Sequence, residues 1–416
     1  MKFQKPKGTK DILPPEIHKW HFVEKVIRDT MDLYNFSEIR TPMFENTTLF
    51  KRGVGTETDI VGKEMYTFED KSGNSITLKP EMTAPVARAF VEHNLASQAP
   101  IHKFFYITSM FRYEKPQEGR YREHTQFGAE VLGTNDVYSD IEIISLVKHI
   151  YNQVGVHNFK VKINSLGMPD DRRKYIELLI NYLNNHQEHL SNDSKRRLVI
   201  NPLRILDSKD PNDIEITEHA PKILEHLDIA SIVRFEKVIN GLTIAGIDYE
   251  VDFRLVRGFD YYTDTTFEFI SEDLGSQNAI GGGGRYDKLV ETIGGKPIPG
   301  IGFGSGIERM IMVADRNNFI FPSGKSVDVY FITLNEEAKL VAFKEILNLR
   351  KSGIKCEYDS LGRSFKAQMR EANKMNSRFV YIIGDEEITK QKGLLKKMSD
   401  GSQTEISFNN IIENIK

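Results

Sequence analysis

Arg112, Glu114, Gln126 and Glu130 bring a guanidinium, two carboxylates and an amide into one short stretch, F-Y-I-T-S-M-F-R-Y-E-K-P-Q-E-G-R-Y-R-E-H-T-Q-F-G-A-E-V-L-G, residues 105–133. The arm Phe104–Tyr113 is rich in aromatic and branched residues, and the arm Glu123–Leu132 alternates more loosely. Both predict strands, and Lys115–Arg120, with Pro116 and Gly119, predicts a hairpin loop longer than two residues. Alternate side chains of a strand share a face, so Arg112 and Glu114 should point one way, as should Gln126 and Glu130. Such a face is a floor for a polar, charged ligand. The competing reading is a solvated outer sheet face.

Three further stretches carry chemistry. L-V-R-G-F-D-Y-Y, Leu255–Tyr262, packs an arginine, an acid and three aromatic rings into eight positions. A-I-G-G-G-G-R-Y-D-K-L, Ala279–Leu289, opens on four glycines, which let backbone approach a ligand closely or simply make a mobile hairpin. Arg285 within it could equally serve in a structural ion pair. G-I-G-F-G-S-G-I-E-R, Gly300–Arg309, has glycine at every second position. On a strand that spacing strips one face of side chains, so a flat ring can lie against bare backbone, with Arg309 projecting from the helix that follows; close strand–helix packing is the plainer account. Neither it nor Gly324-Lys325-Ser326 is a nucleotide-binding fingerprint. The first lacks the dinucleotide spacing, and the second has Phe319 where a phosphate loop needs glycine. Glu81 and Thr83 sit where a strand gives way to a helix, a place for ligand groups or for a helix cap.

The elements that must position these groups are legible from periodicity. A core-facing helix is expected over Ile17–Tyr34, and a strand over Ile39–Glu45 whose Pro42 suits an edge or an interface. Paired strands follow at Met65–Phe68 and Ser75–Leu78, then a helix over Pro85–His93. Asp140–Val154 reads as a helix and Phe159–Ile163 as a strand. Residues 168–241 read as a polar helical module carrying the basic cluster Lys195–Arg197. Tyr249–Ile270 looks strand-like throughout, and Pro322–Ser326 is a linker. Beyond it, strands at Val327–Thr333, Ile354–Glu357 and Phe379–Ile383 alternate with helices at Glu336–Lys351 and Ser364–Asn376, the pattern of a small α/β domain with a partly parallel sheet.

With 416 residues the chain has room for two or three cored domains. Lys and Arg number 56 against 59 Asp and Glu, a net charge of −3, so any nucleic-acid contact must come from local basic residues. One cysteine, Cys356, points to a reducing compartment. No secretion signal or membrane span is expected, which predicts a cytoplasmic location. No Cys or His spacing predicts a metal centre of the protein's own.

The F-R-x-E core, loop and returning strand resemble motif 2 of class II aminoacyl-tRNA synthetases. The glycine strand with Arg309 resembles their motif 3, and the N-terminal helix followed by the Pro42 strand resembles motif 1. R-Y-R-x-x-x-Q-F-G-x-E followed by L-V-R-G-F-D-Y-Y narrows the resemblance to histidyl-tRNA synthetases, whose second signature is similar to Gly281–Asp287. The resemblance implies an α+β fold. A mainly antiparallel sheet flanked by helices would form a catalytic domain over 1–325 with a helical insertion at about 168–241. A C-terminal α/β anticodon-binding domain would span 326–416. It also implies a homodimer joined at motif 1, ATP as substrate with Mg²⁺, and activation of histidine to the adenylate before transfer to the 3′ end of tRNA(His).

Residue by residue, the resemblance puts the histidine ammonium on Glu81 and Thr83, with Gln126 and Tyr261 at the amino-acid end. It puts the imidazole between Glu130 and Tyr262. Such a polar pocket rejects substrates lacking the matching groups by about 10⁴–10⁵. Arg112 and Arg257 would flank the α-phosphate, and Arg309 would hold the γ-phosphate. Glu114 would read the adenine amino group and Arg120 would help hold the phosphates. Gln117 and Arg122 would meet the tRNA acceptor end. Lys366, Arg370, Lys374, Lys390, Lys392, Lys396 and Lys397 could contact tRNA phosphates or stay solvated. The chain departs from the family at Met82, where glycine is common, and at His124, where many members stack phenylalanine on adenine over the strand of Gly304. A histidine-sensing regulatory paralogue and an amino-acid-activating paralogue that ignores tRNA are the alternatives.

Overall fold

Two prolines open the first helix, Pro14–Leu33, where a missing N–H costs nothing because first-turn N–H groups have no intrahelical acceptor. Trp20, Val23, Ile27 and Met31 recur along it at helical spacing and are buried. The computed structural model describes residues 3–275, 278–322 and 326–415. Ser323, Gly324 and Lys325, most of the expected linker, fall outside the described residues. The chain forms two units, Met1–Phe321 and Pro322–Lys416. Among the described residues no helix is long and apolar enough to cross a membrane.

The first unit carries β1 (Ser37–Glu38), β2 (Phe44–Asn46), β3 (Tyr66–Glu69), β4 (Ser75–Leu78), β5 (His102–Phe111), β6 (Glu123–Leu132), β7 (Lys160–Ser165), β8 (Tyr249–Val251), β9 (Thr263–Ile270), β10 (Ala279–Arg285) and β11 (Gly300–Gly306). Eight of them make one sheet in the order β1-β5-β6-β11-β10-β9-β7-β8. Its interior pairings are all antiparallel; the parallel pairs, β1 with β5 and β7 with β8, lie at the two edges. β2, β4 and β3 form a separate small sheet.

Period-two alternation divides the large sheet into two faces. Phe127, Ala129 and Val131 of β6, Ile301 and Phe303 of β11, and Phe267 and Phe269 of β9 point into one core, shared with Val23, Ile27, Ile144, Val147, Val238 and Met310 from four covering helices. The opposite face carries Gln126 and Glu130 of β6, opposed by Gly306 and Gly302, and Glu268 of β9, opposed by Gly282. A second apolar cluster borders that face, joining Val86 and Phe90 of the helix Thr83–Glu92 to Tyr106, Tyr261, Tyr262 and Tyr286. The helical segment from Pro169 to Glu218 adds Tyr175, Leu179 and Leu198 to it. Inside that segment the Asp213 carboxylate gathers the hydroxyls of Ser191, Ser194 and Ser208, which hold its pKa below the usual carboxylate range against the opposing effect of burial.

Three expected elements differ. Ile39–Glu45 is not one strand: β1 ends at Glu38, and β2 joins another sheet, with Pro42 between them unable to donate to a ladder. Arg112 and Glu114 lie beyond the end of β5, so the loop, not the pleat, sets their direction. Tyr249–Ile270 is interrupted: Asp252–Tyr262 is irregular, and β9 begins at Thr263 with a bulge against Gly284–Arg285. Asp264 beside it has φ 42°, a left-handed conformation that non-glycine residues rarely take.

The second unit is a sheet of β12 (Val329–Thr333), β13 (Cys356–Tyr358), β14 (Phe379–Ile383), β15 (Lys392–Lys397) and β16 (Gln403–Ser407) in the order β13-β12-β14-β15-β16. β12 is parallel to both neighbours, and β15 and β16 run antiparallel. The helices Glu336–Lys351 and Phe365–Lys374 supply Ala342, Ile346 and Ala372 to apolar clusters of its own. Burial pushes the Cys356 thiol up to about 12, which leaves it unreactive at neutral pH.

Candidate active site

One cavity opens on the glycine-bearing face of the large sheet. Glu81, Thr83, Arg112, Glu114, Arg120, His124, Gln126, Arg257, Tyr261, Tyr262, Gly304 and Arg309 all line it. Residues as far apart in the chain as Glu81 and Arg309 are therefore brought together, by the registers of β6, β11, β10 and β9. Three predicted residues stand outside its lining. Glu130 is fully buried, its carboxylate beside Gly302 of the lining. Gln117 is exposed in the hairpin loop, where its N–H donates to the Arg120 carbonyl at 3.2 Å. Arg122 is occupied structurally: its guanidinium lies 3.7 Å from the Tyr113 ring centre, and its Nε donates to the Glu114 carbonyl at 3.2 Å.

The glycines are what make the floor. A Cβ on Gly302 would collide with the Glu130 carboxylate, and one on Gly304 with the Gln126 amide. A Cβ on Gly282 would come within 2.8 Å of Arg257 Nη1. The stripped face is thus partly filled by polar side chains leaning across from neighbouring strands, whereas Gly306 faces open space.

Glu81 and Glu130 form the acidic end. The Glu81 carboxylate accepts the N–H groups of Thr83 (2.7 Å) and Ala84 (3.0 Å) at the start of the helix. Glu130 accepts the hydroxyls of Thr83 (2.8 Å), Tyr106 (3.3 Å) and Tyr286 (2.5 Å). Burial disfavours both charged forms and pushes Glu81 up to about 7 and Glu130 up to about 8, against those hydrogen bonds, which act in the other direction. Tyr261 and Tyr262 are buried beside them, with Phe259 stacked on Tyr261 at 5.1 Å.

The arginines of the cavity are held by backbone oxygens and by carboxylates alike. Arg112 Nε donates to the Pro80 carbonyl at 2.7 Å, and Arg309 Nε to the Gly119 carbonyl at 3.0 Å. Arg120 pairs with Glu114. Arg257 pairs with Glu268 at 2.5 Å, while its buried Nε has no hydrogen-bond partner among the described residues. Burial, with Arg112 and Arg309 nearby, pushes the His124 imidazole down to about 3, so the ring is neutral. The cavity thus holds carboxylate acceptors, which suit a cationic group, and several guanidinium groups, which suit phosphates.

Four contributors were not singled out from sequence: Tyr106, Tyr286, Glu268 and Glu308. Glu308 accepts the Thr125 N–H at 2.7 Å, just past the end of the β6–β11 ladder. Arg285, left open between chemistry and structure, is fully buried in an ion pair with Asp140 at 2.8 Å.

The model of the histidyl-tRNA synthetase family matches residues 8–178 and 199–310, and that of an anticodon-binding domain matches residues 328–416. A histidine–tRNA ligase of Thermoanaerobacter pseudethanolicus is 48% identical over 411 residues, 99% of this chain and 98% of that protein. One of Halothermothrix orenii is 49% identical over 416 residues, 100% of this chain and 99% of that protein. Among solved structures, the apo histidyl-tRNA synthetase of S. aureus is similar with TM-score 0.84 and 34% identity, covering 100% of both chains.

Proposed function

The chain belongs to the histidyl-tRNA synthetase family, and from that premise we propose how its residues divide the family's two-step reaction. It is a histidine–tRNA ligase: ATP activates histidine as histidyl-adenylate, and the histidyl group passes to the 3′ end of tRNA(His). The observation that carries the assignment is the convergence of three arginines and an acidic, tyrosine-walled pocket on one cavity.

The histidine ammonium sits against Glu81 and Thr83, whose carboxylate and hydroxyl supply acceptors. Gln126 and Tyr261 line the amino-acid end. A neutral imidazole has one N–H donor and one acceptor nitrogen, which Glu130 and the Tyr262 hydroxyl match. The histidine carboxylate attacks the α-phosphorus in line, and Arg112 and Arg257 stabilise the charge that develops on the phosphoryl oxygens. Arg309 holds the γ-phosphate, and Arg120 helps. Adenine lies over the bare backbone at Gly304, read by Glu114 and stacked on the neutral His124. These arginines stay charged, so their work is electrostatic and positional.

Among the described residues no group of three or more His, Cys, Asp or Glu could hold a metal alone. Mg²⁺ needs only one or two carboxylates beside substrate phosphates and water, and the lining Glu268 and Glu308 fit that role. When bound, the ion would offset charge on the outer phosphates. Gln117 and Arg122 serve the acceptor end of tRNA, and the exposed Lys366, Arg370 and Lys374 on one helix of residues 326–416 serve the anticodon arm. The protein acts in the cytoplasm as a homodimer joined through the Pro42 segment, where the apolar Met43 and Phe44 are exposed on a single chain.

Arg257→His is expected to leave a folded protein whose histidine-dependent ATP–pyrophosphate exchange falls by at least about 10²-fold. Near-normal exchange would remove Arg257 from the mechanism. Charging of bulk tRNA without any partner protein separates this reading from a regulatory role.

A further inference from the structure

Tyr286 is 1% exposed and donates its hydroxyl to Glu130 Oε2 at 2.5 Å, the shortest of the three hydrogen bonds that Glu130 receives. Its ring fills the space that a side chain on Gly300 would need, and its N–H donates to the Gly300 carbonyl at 2.8 Å. The residues on both sides of it are locked. Arg285 donates to both oxygens of Asp140, to the carbonyls of Thr134 (3.2 Å) and Asp136 (3.1 Å), and to Asp287 Oδ1 (3.1 Å). That Asp287 oxygen also accepts the Gly300 N–H at 3.2 Å. A fully buried arginine with its donors satisfied on the helix Val137–Gln153 and its preceding turn is a rigid mount. Nothing about holding β10 to that helix requires a phenol at position 286; a phenylalanine would fill the same volume.

We infer that Tyr286 is a specificity-determining positioning residue for the amino-acid substrate: by binding Oε2 of Glu130 it aims the remaining acceptor capacity of that carboxylate at the imidazole, and the Arg285–Asp140 pair keeps it in place. This rests on the reading that Glu130 meets the imidazole. Glu130 also accepts from Thr83 and Tyr106 on Oε1, and the side chains of Glu81 and Tyr262 add to its electrostatic surroundings. A carboxylate so placed keeps one orientation only while both oxygens are tied. The Tyr286 bond also favours its ionised form.

The test is Tyr286→Phe in the full-length protein, assayed by ATP–pyrophosphate exchange. Loss of a hydrogen bond to a charged group should raise the histidine KM by about tenfold to a hundredfold. The ATP KM should stay within about twofold. The pH at which histidine affinity reaches half its maximum should also move upward, because Glu130 loses a bond favouring its charge. An unchanged histidine KM overturns the inference, as does a parallel rise of both KM values with a lowered melting temperature, which is the mark of plain packing. Glu130→Gln separates the two levels. If it impairs histidine use while Tyr286→Phe does not, only the positioning role fails; if it leaves the histidine KM untouched, the imidazole reading falls and the inference with it.

Discussion

Glu81 and Glu130 are acids placed where water has little access, and that placement has a measurable cost in the free protein. Both have folded-state pKa values above the ordinary 4.5, at about 7 and about 8, with burial the largest cause. A raised acid contributes stability that is fully present below its unfolded pKa and is lost as pH rises through the folded one. The unliganded protein should therefore become less stable between about pH 4.5 and pH 8, and Glu130→Gln should flatten that decline in thermal unfolding measured across pH. An equal slope in the variant would mean that Glu130 is already ionised in the free protein. At this scale the residue types in F-R-x-E and R-G-F-D-Y-Y were legible, because an arginine or acid among apolar and aromatic neighbours stands out. Tyr106, Tyr286 and Glu268 were not. Each matters only through a partner far away in the chain, and that pairing is not written in a single strand.

Elements were legible where periodicity was long and broke down where function interrupts it. The arms expected at Phe104–Tyr113 and Glu123–Leu132 became β5, His102–Phe111, and β6, Glu123–Leu132. The run expected as one strand over Tyr249–Ile270 breaks at Asp252–Tyr262, and this irregular segment carries Arg257, Tyr261 and Tyr262 to the cavity. β15 and β16 were missed because K-G-L-L-K-K reads as solvated surface; lysines along strands near a sheet edge blunt association with other chains. The mount of the second signature gives a prediction at this scale. Arg285→Ala leaves the fully buried Asp140 with Arg234 as its remaining partner, and removing one member of a buried pair costs about 3–5 kcal/mol. Chemical denaturation should show a loss of that order, and a loss below about 1 kcal/mol would mean that Asp140 relaxes onto Arg234.

For the whole molecule, the two units have separate apolar clusters, and the residues proposed for adenylate formation all lie before Phe321. A chain ending at Phe321 should keep histidine-dependent pyrophosphate exchange within about tenfold while kcat/KM for tRNA falls by at least about 10²-fold, the loss expected when several phosphate contacts go. Equal losses in both assays would tie the second unit to catalysis itself. The near-neutral net charge gave no sign of a nucleic-acid partner, because the basic residues are local and offset by acids elsewhere. The bare strands of the sheet set a limit on how such a protein can change. At Gly282, Gly302 and Gly304 a single added methyl group would strike Arg257, Glu130 and Gln126 respectively, and at the first two also the carbonyl oxygens of Phe267 and Ala129. Alanine at any of the three would push a neighbouring polar side chain, and at Gly282 and Gly302 the adjoining strand as well, out of its present place.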